Sequence, residues 1–240
     1  MKKVITLSLV LFTITASAQW GKRVKGNGKT VTIERSVGDY DAIAVSGWFD
    51  VNIVSGNEGE LTLKGEENLL EYIKTEVKDG KLVIKTAKGV NLKPSNWNSG
   101  IYVTVPIESI DMVSLSGSGD IVGETIIKSE RFKTSLSGSG DVTLDVEASI
   151  LDASMSGSGD INLSGSARDF DVSISGSGDI KAYDLKAENV TAQVSGSADI
   201  KVTATEMIKA RVSGSGDISF KGNPKKIDTK TSGSGDISSY

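Results

Sequence analysis

Seven aspartates, Asp120, Asp141, Asp160, Asp179, Asp199, Asp217 and Asp236, follow one another at intervals of 21, 19, 19, 20, 18 and 19 residues. Each closes the pentapeptide Ser-Gly-Ser-Gly-Asp, which reads Ser-Gly-Ser-Ala-Asp at Asp199. Carboxylates bind hard cations, accept charge-assisted hydrogen bonds, or work in unlike pairs as acid and base on glycosidic bonds. A catalytic pair needs two carboxylates in different environments, whereas these seven share one local sequence, which points to structure before catalysis. If they stack about 5 Å apart, neighbours repel by roughly 1 kcal/mol in water and by more where water is scarce. Something must offset that repulsion. The first reading is local: each carboxylate accepts backbone N–H groups of its own turn or a Ser hydroxyl one coil away. The alternative is a calcium ladder, but Ca²⁺ takes six to eight oxygens and each pentapeptide offers one carboxylate, so no other cofactor is expected and calcium is the weaker choice.

Other chemistries are closed by composition. The chain has no His and no Cys, which removes Ser-His-Asp and Cys-His nucleophiles, thiolate or imidazole zinc sites, and disulfides. No catalytic residue is assigned. One further side chain invites a ligand: Trp97, in the polar segment Lys88–Gly100, is flanked by Asn96, Asn98 and Ser99. It reads either as an anchor that buries the loop or as a ring on which a sugar stacks.

The elements that carry the aspartates follow from the repeat. On both sides of each pentapeptide apolar residues alternate, as in Leu151/Ala153/Met155 before and Ile161/Leu163 after. Period two means strands with one buried face. About 19 residues at roughly 3.3 Å each wind a loop some 60 Å around, and such coils stacked at about 4.8 Å pair every strand with its copies. The fold class is therefore mostly all-β: a single-stranded parallel β-helix or β-solenoid, with hairpin sandwiches and propellers as the alternatives. Propeller blades need about 40 residues, twice the observed period.

Within the pentapeptide the first glycine never varies: Gly117, Gly138, Gly157, Gly176, Gly196, Gly214 and Gly233. The second becomes Ala198 once, so only the first is expected to need positive φ or a close backbone approach. A degenerate earlier copy, Ser46-Gly47-Trp48-Phe49-Asp50, makes residues 39–55 the first coil. Trp48 there reads as packing at the mouth of the turn.

The remaining segments set the organisation. Met1–Gln19 has two lysines, an apolar run from Val4 to Ile14 and Ala16-Ser17-Ala18, the pattern of a secretory signal cleaved after Ala18. That run is too short to cross a bilayer, which needs about 20 residues. The mature chain is expected to have no transmembrane segment, and no Cys follows to carry a lipid. Four parts result: 1–18 signal, 19–38 a lead strand, 39–113 the first coil plus an inserted helix-and-hairpin module, and 114–240 seven coils. In the module, Leu69, Leu70 and Ile73 have helical spacing for about two turns, and Asp79-Gly80 between alternating runs marks a hairpin.

Taken together, the stretches Gly38–Gly56, Gly65–Lys85 and Val105–Ile121 and the recurring pentapeptide resemble the family known as "putative auto-transporter adhesin, head GIN domain", secreted bacterial proteins. The similarity spans roughly 39–222 and implies a β-solenoid without a known reaction. No run of membrane-barrel strands follows the repeats, so the resemblance does not extend to self-transport.

These observations favour an exported, non-enzymatic binding protein of the periplasm, cell surface or medium, with a glycan or a surface protein as partner. A β-helix carbohydrate-active enzyme and an envelope sensing module are the alternatives. The net charge of −4 and the absence of a basic stripe argue against nucleic acid. The polar last coil, with Thr231 and Ser239 at positions that are apolar in most other coils, leaves strand edges on which self-association is expected.

Overall fold

A computed structural model describes residues 21–240. The secretory signal lies outside the described residues. From Met112 the chain winds as β10 (Met112–Gly117), β11 (Ile121–Gly138), β12 (Val142–Gly157), β13 (Ile161–Gly176), β14 (Asp179–Gly196), β15 (Asp199–Gly214), β16 (Ile218–Lys221), β17 (Lys226–Gly233) and β18 (Ile237–Ser239). Every one of these pairs parallel with the copy one coil away, and the corner glycines align: Gly117 with Gly138, Gly157 with Gly176, Gly214 with Gly233. The chain is a β-solenoid of about 19-residue coils, as the repeat requires.

Alternation places identical positions in columns. Ile121, Val142, Ile161, Ile180, Ile200 and Ile218 form one column, each paired to the next and each fully buried. Phe132, Leu151, Phe170, Val190 and Ile208 form another, equally closed to solvent. Burying one such side chain is worth about 1.5–3 kcal/mol, which replaces the disulfides this chain cannot make. Two polar side chains are buried among the described residues, Glu66 and Thr134, and of these Thr134, 0% exposed, has no hydrogen-bond partner for its Oγ1.

The first coil, β3 (Ala42–Gly47) and β4 (Asp50–Ser55), lies inside the stack: β3 pairs with β10, and β4 with β11. Its other side is covered by the inserted module. In that module β7 (Lys81–Thr86) lies parallel on β3 and β9 (Tyr102–Ile107) parallel on β4, so the parallel stack continues one layer further. Antiparallel strands then end it: β6 (Ile73–Lys78) on β7, and β5 (Glu60–Glu66) on β9. The β6–β7 hairpin turns at Asp79-Gly80, both with positive φ, as its sequence predicts.

Two expectations are corrected. The helix is a single turn, α1 (Glu67–Leu70), because Ile73 is taken by β6 and pairs with Thr86; long-range strand pairing overrides helical spacing. The lead segment is two strands, not one. β1 (Lys22–Lys25) runs parallel to β8 (Val90–Lys93), and β2 (Thr30–Ser36) runs antiparallel to β5.

Candidate binding sites

The corner of each coil is a closed set of hydrogen bonds between neighbours. Gly117 C=O accepts the Ser139 N–H at 2.9 Å, and the same bond recurs as Ser158 to Gly138 at 2.8 Å and Ser177 to Gly157 at 2.9 Å. The aspartates form a relay. Asp50 Oδ1 accepts the N–H of Asp120 (3.1 Å), Asp120 that of Asp141 (3.0 Å), Asp141 that of Asp160 (2.9 Å), and Asp160 that of Asp179 (3.1 Å). Asp199 serves Asp217 (3.0 Å) and Asp217 serves Asp236 (2.7 Å). Every corner carboxylate from Asp50 to Asp217 except that of Asp179 thus bonds the next coil, and not its own turn or a Ser hydroxyl as the sequence suggests. The reason is register: stacking brings the next Asp N–H over the carboxylate, while N–H groups of the same turn point to the carbonyl of the coil before.

The glycine reading agrees with the structure for φ, positive at the first glycine and not at the second, and needs correction for close approach. The first glycine has φ of +144°, +143°, +149° and +153° at Gly117, Gly138, Gly157 and Gly176, a region closed to other residues. The second is constrained too: a Cβ on Gly140 would overlap the carbonyl oxygen of Gly119 in the coil beneath. Ala198 carries such a Cβ, so its corner cannot repeat that geometry. From this corner to the C-terminus the first glycine takes a lower φ, +125°, +127° and +129° at Gly196, Gly214 and Gly233. The relay stops at the same place, since no bond of this kind joins Asp199 to Asp179. Lys181 stands there instead, with Nζ 2.6 Å from Asp160 Oδ2 and 3.9 Å from Asp179 Oδ2. The Asp160 hydrogen bond holds the Lys181 ammonium above its ordinary pKa. Among the described residues no cluster of three or more His, Cys, Asp or Glu gathers as a metal cage.

At the other end of the stack lies an open groove of about 1010 Å³, bordered by Trp48, Trp97, Tyr102, Lys93 and Asn98. Trp97 is 104% exposed, so the loop-anchor reading of this residue fails. The loop is anchored by other groups. Glu66, 1% exposed, accepts the Ser95 N–H at 2.9 Å through Oε2 and the Gly28 N–H at 2.5 Å through Oε1. Asn96 Oδ1 then accepts the Asn98 N–H at 2.9 Å, turning the chain tightly around Trp97. Burial opposes the Glu66 charge, but the Ser95 N–H, the Ser95 hydroxyl and the Gly28 N–H outweigh it and hold the carboxyl below its ordinary pKa.

The other two rings come from the first coil and its cover. In the degenerate corner, Phe49 turns into the core, where it is 1% exposed, and Trp48 packs partly on that core while bordering the groove. Tyr102, 45% exposed, projects from β9 next to Gly100, where a Cβ would overlap its ring. Asp50, paired in register with Tyr102, also borders the groove. Burial pushes its pKa up and the Asp120 charge adds to this, while the Asp120 N–H opposes it. Three aromatic faces among amides, hydroxyls and one lysine suit a hydroxylated ring with apolar C–H faces. Sequence reasoning found Trp97 by its polar flanks and missed Tyr102, whose place in an alternating strand gives no sign of exposure.

The sequence pattern of a family described as "Putative auto-transporter adhesin, head GIN domain" matches residues 39–224. Among solved structures, one described as a "putative adhesin" from Bacteroides fragilis superposes with a TM-score of 0.84 at 25% identity, covering 90% of this chain and 100% of that chain. A "putative lipid binding protein" from Parabacteroides distasonis gives 0.74 at 28% identity, over 91% of this chain and 100% of that one. A "putative adhesin" from Parabacteroides merdae shares the fold, with a TM-score of 0.73 at 23% identity over 91% and 99% of the two chains. No curated protein matches.

Proposed function

This chain belongs to the family described as "putative auto-transporter adhesin, head GIN domain", and from that premise we propose that it is a non-enzymatic, exported glycan-binding protein of the bacterial envelope or surface, with its binding site in the Trp48–Trp97–Tyr102 groove. The observation that carries the reading is the full exposure of Trp97 beside two further rings on one open groove. A large aromatic left in water costs solvation free energy, and a latch built from the buried Glu66 keeps it there. A sugar face on such a ring recovers that cost. Export rests on the signal-like Met1–Gln19 together with the family. Among the described residues no helix is long and apolar enough to cross a membrane.

A non-enzymatic role is supported by the engagement of most of the repeated carboxylates in the same backbone relay. The test is a glycan array and titration with the mature chain and with Trp97→Ala. Binding of a neutral glycan by the parent and loss of at least about tenfold in the variant supports the reading. A parent that binds no glycan, or a variant that binds equally well, rejects it.

A lipid is the second reading, favoured by the 28%-identical relative described as a lipid binding protein. Trp and Tyr also partition to lipid headgroups. Titration of the same two proteins with phosphatidylcholine vesicles separates the readings: only a lipid site makes vesicle binding depend on Trp97.

A further inference from the structure

Around Ala198 the repeat departs in three ways at once. The coil that ends at Ser195 has 20 residues and the next has 18, against 19 on either side. Ala198 stands where glycine stands in the other six pentapeptides. The aspartate relay skips from Asp160–Asp179 to Asp199–Asp217. The extra length is a bulge in β14: Lys181 pairs with Asn162 and Asp184 with Ser164, whereas on the other side Ala182 pairs with Val202 and Lys186 with Thr203. Tyr183 sits on this bulge. Bulges re-aim side chains, and a departure that survives inside a self-templating stack calls for a local reason.

The bulge borders an open cavity of about 500 Å³, separate from the aromatic groove. Its walls include Tyr183, Lys181, Lys201, Asp184, Asn162 and Ser164. Lys181 is committed to Asp160 and Asp179. Lys201, paired in register with Lys181, stands in no ion pair among the described residues. The Tyr183 ring already has neighbours: Lys221 Nζ lies 4.2 Å from its centroid and the Tyr240 ring stacks with it at a centroid distance of 6.3 Å, so a ligand meets the part of the ring that lines the cavity. A flat aromatic wall, an unpaired ammonium, an amide and a hydroxyl are the groups that together recognise a hydroxylated ring carrying a carboxylate.

We propose that the Tyr183 bulge is a second binding site, for a uronate residue of an acidic polysaccharide, with its carboxylate on Lys201 and its ring against Tyr183. The site does not rest on the groove reading. Asp184 is the one unpaired carboxylate on the cavity, and it sets a limit on affinity by repelling the ligand. The ligand ammonium contact makes binding fall with added salt.

The probe is a defined oligogalacturonate, titrated into the mature chain by calorimetry, with a neutral cello-oligosaccharide of equal length as control. In Trp97→Ala, which removes the groove, the expected result is binding of the acidic oligomer alone, and acidic binding weakens at least about tenfold in Lys201→Gln and in Tyr183→Ala and strengthens in Asp184→Asn. Trp97→Ala leaves this binding unchanged, which separates the site from the groove. Melting curves of each variant report the fold, and both Lys201→Gln and Asp184→Asn alter exposed or half-exposed side chains. Three results overturn the proposal: no binding of the acidic oligomer by the parent, equal binding of the neutral oligomer in Trp97→Ala, or binding that Lys201→Gln and Tyr183→Ala both leave intact.

Discussion

The carboxylate of Asp141 accepts the backbone N–H of Asp160 at 2.9 Å, and the carbonyl of Asp160 in turn accepts the N–H of Val142 at 2.9 Å. One side chain and one backbone group of a coil thereby satisfy both backbone groups of the residue above. Charge is incidental to this exchange; an acceptor oxygen is what it needs. Asp141→Asn keeps that oxygen and removes repulsion between neighbours, so its melting temperature should equal or exceed the parent's. Asp141→Ala removes the acceptor, and a loss of about 1 kcal/mol is expected. Denaturant melts of the pair decide the matter.

Calcium is tested on the same proteins. If the relay is complete without a cation, the melting temperature in millimolar Ca²⁺ should match that in EDTA for parent and Asp141→Asn alike. A rise in the parent that the Asn variant lacks would instead assign the free carboxylate oxygens to a metal.

Gly157→Ala strikes a corner where two backbones approach closely. The residue has φ +149°, and a Cβ there would overlap the carbonyl of Gly138. Strain and overlap with rigid backbone should cost about 2–4 kcal/mol, read as a lowered unfolding midpoint or as loss of soluble protein. An alanine on the outward-facing Ser156 should cost far less.

Thr134 offers a gain. Its hydroxyl is buried without a partner, between Val113 and Ala153 in the same interior column. Thr134→Val replaces that hydroxyl by a methyl of similar size and should stabilise the fold by about 1 kcal/mol. Thermal unfolding measures it, and an unchanged or lower midpoint would mean the hydroxyl is satisfied in solution.

The Glu66 latch predicts a pH dependence. A carboxyl held below its ordinary value when folded stabilises the protein fully above about pH 4.3, its unfolded value, and less as the pH falls through the folded value. Trp97 emission should therefore shift on acidification below about pH 4 before global unfolding. In Glu66→Gln the shift should lose its pH dependence, because no proton is taken up.

The parallel stack was legible because a corner that recurs every coil leaves its period in the sequence, and Gly117, Gly138 and Asp120 stand on that period. The one-turn helix was not. Ile73 has helical spacing to Leu69 and Leu70, but its fate is set by Thr86, a partner distant in the chain. The direction of the relay was equally hidden, since a pentapeptide read alone shows only its own N–H groups. The second glycine misled for a related reason: Ala198 looked like tolerance, and the cost of its Cβ appears only against the carbonyl beneath. The one visible sign of the Tyr183 site is the interval of 20 followed by 18, a pair of numbers that average to the period and so conceal the bulge.

The covering of the first coil by β7 and β9 has a kinetic side. Each aspartate of the relay offers its carboxylate only toward the C-terminal neighbour, so a finished winding presents a side-chain acceptor to the one not yet made. The rod should therefore nucleate at its N-terminal module and grow in one direction, much as the chain leaves a ribosome or an export channel.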